Sequence, residues 1–220
     1  MLRAAISTDT PKRLGLVFRG PLKWPVTTTS SMAAGFLIAF VLAAVMLAIF
    51  GAGDRGTEIA LRATARWSFL LFWLAYTGGA MAKLFGPRFN AVAQQGRAMG
   101  LAYASAQLVH VALIFWLFYL AAGPGGAMLV FWAGILCTYL LALFSWPRLR
   151  EALGPGAWRI LRTVAIEYIA YVFAVDFILI PLQEHGVGGY PLSYVPFAVM
   201  LVGGTGLRIT AAARSRLMAQ

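Results

Sequence analysis

Charge is what this chain has least of. Asp, Glu, Lys and Arg make up 11% of its 220 residues, against about 25% in ordinary soluble domains. Only seven residues are acidic. So little charge excludes a water-covered globular surface. Cysteine is nearly absent as well. Cys137 stands alone in an apolar run, which excludes an internal disulfide and a thiolate metal cluster; its expected role is a packed thiol. Histidine occurs twice, at His110 and His185. No polar stretch is longer than the N-terminal 31 residues, too short to build a core of its own. The glycine fingerprints of nucleotide-binding domains are missing. Gly123-Pro124-Gly125-Gly126 lacks the lysine of a phosphate loop and reads as a tight turn between helices. The chain therefore carries no standard soluble cofactor domain.

What it has instead is length in apolar runs. Six occur: Met32 to Ala52, Trp67 to Ala82, Met99 to Ala122, Met128 to Trp146, Thr163 to Leu182 and Tyr194 to Thr210. About 20 apolar residues match a hydrocarbon core of about 30 Å. In lipid such segments satisfy their backbone only as helices. The expected fold is all-α, a polytopic membrane bundle of six transmembrane helices. Residues 1–31 form a basic tail whose Thr27 to Ser31 run is placed to cap the first helix. Residues 32–210 form the bundle, and residues 211–220 a C-terminal tail.

The net charge of +11 does not point to nucleic acid, because the charges are sorted by side. Arg3, Lys12, Arg13, Arg19 and Lys23 precede the first run. Lys83, Arg88 and Arg97 follow the second, Arg148, Arg150, Arg159 and Arg162 the fourth, and Arg208, Arg214 and Arg216 end the sixth. The other side holds only Arg55, Arg62 and Arg66. Such a bias places both termini in the cytoplasm by the positive-inside rule. No basic run reaches the four to eight clustered residues that recognise lipid headgroups, so topology alone accounts for the basic residues. Trp67, Trp146 and Trp158 fall at span ends, where indoles sit at headgroup level. Gly203-Gly204-Thr205-Gly206 suits close helix packing.

Ionisable groups inside a span cost roughly 2.5 to 3.5 kcal/mol each, which makes each a site hypothesis. His110, Glu167 and Asp176 qualify, with Gln107 one turn before His110 on the same face. At 1.5 Å per residue, His110 lies about 16 Å and Asp176 about 20 Å from the cytoplasmic ends of their spans, whereas Glu167 is only about 6 Å deep. Asp176 and His110 are expected to approach each other. The acids, nine residues apart, fall on opposite helix faces. His110 carries two readings. One is an axial haem ligand or proton relay; the other is a polar residue that bonds helices together. His185 belongs to an external loop.

Several short motifs resemble a known family. Thr64-Ala65-Arg66-Trp67 is similar to the Thr-Gly-x-Trp that opens the second helix of the ferric reductase-like transmembrane family. Arg97, Gly100, Leu101 and Tyr103, with His110 thirteen residues after Arg97, resemble its third helix, where a histidine ligates haem b. Ser145 to Arg150 followed by Trp158-Arg159-Ile160-Leu161 resembles the approach to its fifth helix. The resemblance covers residues 60–182 and points to the haem-bearing membrane subunit of the bacterial methionine sulfoxide reductase system. It implies a six-helix scaffold in the bacterial inner membrane and, for a redox member, haem b and a redox partner protein. The chain departs from the family at its haem histidines. Arg162 stands where the family has one, and another falls at Val175 or Asp176. Haem iron is held by His, Cys, Met or Tyr, which leaves Tyr168 and Tyr171 as donors on that helix.

The expectation is a membrane component without catalytic residues or cofactor, structural or subunit-like in role, with the lipid bilayer as its first partner. Two alternatives stand beside it: a haem b electron-transfer subunit using His110, and a small proton- or cation-coupled carrier using Asp176.

Overall fold

The computed structural model describes residues 26–121 and 128–218. The greater part of the N-terminal tail, the Gly123 to Gly126 turn and the last two residues lie outside them. Among the described residues the chain is entirely helical: α1 (Val26–Phe50), α2 (Asp54–Phe85), α3 (Asn90–Ala121), α4 (Met128–Phe144), α5 (Pro147–Leu153), α6 (Pro155–Ala174), α7 (Ile180–His185) and α8 (Val195–Leu217). A 3₁₀ turn, Pro87–Phe89, precedes α3, and a π-helical turn, Val175–Leu179, joins α6 to α7. Five helical stretches are long and apolar enough to cross a membrane; α4 with α5 makes a sixth if that bent pair counts as one span.

Several helices outrun the apolar segments that announce them. α1 begins at Val26, so Thr27 to Ser31 form its first turns instead of capping it. α2 begins at Asp54, thirteen residues before Trp67. The intervening segment holds no proline. Asp54 sits in the first turn, where the helix dipole favours an acid, and Glu58 lies 3.7 Å from Arg62 one turn on. Arg55, Arg62 and Arg66 are therefore helical residues and not loop residues. Trp67, expected at a span end, lies well inside α2 and donates to the Gly35 carbonyl at 3.0 Å. α3 begins at Asn90 and includes Arg97, and α8 runs on to include Arg208, Arg214 and Arg216.

Breaks fall where the backbone demands them. Gly86 and Gly154 adopt φ of +83° and +80° at the ends of α2 and α5, a region that favours glycine. Pro147 opens α5, whose axis turns 103° from that of α4. Pro181 explains the π turn. It has no N–H to give the Phe177 carbonyl one turn earlier; the Tyr190 hydroxyl donates to that oxygen instead. Just upstream, the Ile180 N–H reaches back five residues to Val175.

The core is aromatic at its centre and small at its edges. Phe69 packs edge-on against Phe173, Phe177 and Phe197, with ring centroids 5.2, 5.2 and 5.8 Å away, so α2, α6, the π turn and α8 meet around one buried ring. α1 buries Gly35, Ala39 and Ala43 against its neighbours, Gly35 meeting Ala102 of α3, while Leu37, Phe40 and Ile49 face outward. In the Gly203 to Gly206 run, close packing rests on Gly204 alone: a β-carbon there would meet the Trp73 indole and Thr77 within 3 Å, while Gly203 and Gly206 border open space. Cys137 is partly buried and packs against the core.

Candidate functional site

The extended start of α2 brings Thr64 and Arg66 level with His110. Thr64 lies ten residues into α2 from one end of the bundle, and His110 eleven residues from the end of α3 on that side. The Thr64 hydroxyl stands 2.9 Å from His110 Nδ1 and 2.9 Å from the Ala60 carbonyl. A hydroxyl has one hydrogen. With that hydrogen on Ala60, Nδ1–H is the donor to Thr64, and Nε2 is the ring's remaining acceptor.

Asp176 and His110 border the same two cavities. One, about 40 Å³, lies between α3, α4 and α6 and is lined by Gln107, His110, Phe131, Val172 and Asp176 among others. That is room for about one water molecule. The second, about 240 Å³, lies toward the end of the bundle that carries the α1–α2 turn, and adds Arg62, Arg66 and Tyr194. Both arginines thus line the same cavity as Asp176, on its side of the bundle. The Arg66 guanidinium lies over the rings of Tyr194 and Phe197, 5.4 and 5.6 Å from their centroids. Its Nε, and Gln107 Oε1, are buried with no hydrogen-bond partner among the described residues.

Gln107 begins a directed chain. Its Nε2 donates to the Tyr103 hydroxyl at 3.2 Å. Tyr103 lies 3.1 Å from Thr138 Oγ1, which donates to the Gly134 carbonyl at 2.9 Å. That carbonyl accepts only, so the hydroxyls point one way, and the chain ties α3 to α4.

Glu167 belongs elsewhere. It accepts from the Tyr76 hydroxyl at 2.9 Å and from Arg208 at 2.6 Å. Arg208 also donates to the Tyr76 carbonyl at 3.1 Å and lies over the Tyr76 ring, 4.2 Å from its centroid. This knot joins α2, α6 and α8 near the end of the bundle that carries the α2–α3 turn. The two acids of the fifth apolar run thus serve different neighbours, Asp176 the cavities and Glu167 the knot. His185 ends α7 on the surface, 3.9 Å from Glu184.

Of the expected site residues, Gln107, His110 and Asp176 come together and Glu167 does not. Thr64, Arg66, Tyr103, Tyr76 and Arg208 complete the two clusters. Three of them sit in the motifs quoted above, but Thr64 and Arg66 precede the apolar run that begins at Trp67. Haem b between His110 and the fifth apolar run, as the family resemblance implies, finds half of its donor set. The residues facing His110 across the smaller cavity are Ile169, Val172, Phe173 and Asp176, none of them an axial ligand of the usual kinds. Tyr168 donates to the Val130 carbonyl at 3.2 Å, and Tyr171 is half exposed; neither lines the two cavities described above. These side chains do not fit a haem ligated from both faces. Compared with known protein families, curated proteins and solved structures, the chain matches none.

Proposed function

We propose that this chain is a six-crossing protein of the bacterial inner membrane, both ends cytoplasmic, built on a ferric reductase-like scaffold without doubly ligated haem and acting as a structural subunit of a membrane assembly. The observation that carries this reading is the pairing across the smaller cavity. His110 gives Nδ1 to Thr64, while the facing helix offers three apolar side chains and a carboxylate where a second iron ligand belongs. The polar residues elsewhere in the bundle support the same reading. The Glu167 knot and the Gln107 chain join helices to one another, the use interhelical hydrogen bonds serve in membranes.

The test is an absorbance spectrum of the protein purified from haem-replete cells. No Soret band is expected, in the wild type or in His110→Ala. A stoichiometric Soret band that His110→Ala abolishes overturns the reading and makes the chain an electron-transfer subunit.

A further inference from the structure

The fold gathers arginines that the sequence keeps apart. A cleft of about 490 Å³ is bordered by Arg150, Arg159, Arg162 and Arg208 together with Trp158. A second cavity of about 350 Å³ adjoins it, sharing Arg150, Trp158, Arg162 and Ile166 and adding Arg97. Five guanidinium groups from α3, α5, α6 and α8 thus converge, although no two neighbours among the five are closer than three residues in sequence. Two acids lie near them. Glu151 borders the cleft, and Glu167 is already paired with Arg208. Among the described residues, no ion pair within 4.0 Å engages Arg150, Arg159 or Arg162.

The second cavity is two-sided. Its charged mouth is Arg97, Arg150 and Arg162; its inner wall is mostly apolar, with Phe72, Leu101 and Leu141, and is interrupted by Tyr76, Tyr103 and Thr138, whose hydroxyls are bonded to one another or to Glu167. A free anion would satisfy the mouth and leave the wall empty. An acyl chain would fill the wall and leave Arg150 and Arg162 without a counter-charge; Arg97 already donates to the Ser145 carbonyl at 2.6 Å. One molecule that matches both carries a phosphate at one end and hydrocarbon at the other. Trp158, shared by both cavities, places the mouth at headgroup level, and basic pockets between membrane helices hold anionic headgroups.

We propose that this cleft is a binding site for an anionic phospholipid, with the phosphate held by Arg150 and Arg162 and an acyl chain entering between α2, α3 and α6. The site is independent of the haem question.

The test is a titration of the delipidated protein in neutral detergent with three probes: short-chain phosphatidylglycerol, phosphatidylcholine of the same chain length, and inorganic phosphate. Phosphatidylglycerol is expected to bind at least about tenfold more tightly than phosphatidylcholine, and inorganic phosphate not to compete at equal concentration. The double variant Arg150→Gln with Arg162→Gln loses at least about tenfold in phosphatidylglycerol affinity, while Arg214→Gln with Arg216→Gln, outside the cleft, binds as the wild type does. Equal binding of the two lipids, an unaffected cleft variant, or phosphate competing as well as the lipid each overturns the proposal. The comparison of probes on the wild type holds whether or not the variants fold.

Discussion

Gly35→Leu is expected to lower the unfolding midpoint of the purified protein by about 6 °C or more, the cost of overfilling a packed contact by about 3 kcal/mol in a chain of this size. α1 has almost nothing but shape with which to recognise its neighbours. Its inner face is Gly35, Ala39 and Ala43 at four-residue spacing, and its backbone accepts hydrogen bonds from Trp67 at the Gly35 carbonyl and from Ser105 at the Met32 carbonyl. A β-carbon at Gly35 would stand 2.6 Å from the Ala102 carbonyl oxygen. That atom is backbone on a packed helix and cannot rotate away, so α1 and α3 must separate and the small-residue contact opens along its length. Gly203→Leu is the control. Nothing lies within 4 Å of a β-carbon there, and a shift below about 2 °C is expected, since surface substitutions stay within about 0.5 kcal/mol. Equal effects of the two variants would contradict the packing.

Asp176→Asn and Arg66→Gln are each expected to destabilise by about 2 kcal/mol or more, and the double variant by distinctly less than their sum. Asp176 and Arg66 are half-buried, opposite in charge and line the same cavity without direct contact, so removing either leaves the other with less compensation. The two residues border one cavity, which Arg62 also lines. Chemical or thermal unfolding of the four proteins in one detergent measures the coupling. A coupling energy above about 1 kcal/mol is the expected result. Strict additivity would show that Arg66 answers to the aromatic rings beneath it and not to Asp176.

The sequence carries the number and order of apolar runs plainly, because lipid demands length and allows only helices. It carries much less about where helices stop. The Asp54 to Arg66 segment reads as a charged loop by hydropathy. It folds as helix because Glu58, Arg62 and Arg66 sit four residues apart, Ile59, Ala60, Leu61, Ala63 and Ala65 lie between them, and the Thr57 and Thr64 hydroxyls bond back to the carbonyls of Gly53 and Ala60. That misjudged boundary hid Thr64 and Arg66, and with them the partner of His110 and the cation beside Asp176. That His110 and Asp176 lie near one level was legible, since counting residues along a helix needs no tertiary information, and both line the same two cavities. The partner of Glu167 was not, because Arg208 lies 41 residues away on a helix whose rotation only packing sets. The arginine cleft was equally invisible: residues dispersed from position 97 to 208 meet only once α5 has folded back at Pro147 and α6 has started at Pro155.

The claim on which all of this rests is that the chain crosses the bilayer six times, with the 17-residue α4 among the crossings. Single cysteines at Ala52, Arg88, Gly156, Val187 and Met218, placed in a Cys137→Ala background and labelled with a membrane-impermeant maleimide in intact spheroplasts and in inside-out vesicles, measure it. The account predicts that Ala52→Cys and Val187→Cys label from outside, and Arg88→Cys, Gly156→Cys and Met218→Cys from inside. Labelling of Gly156→Cys on the same side as Ala52→Cys would remove α4 from the membrane and contradict the six-crossing bundle.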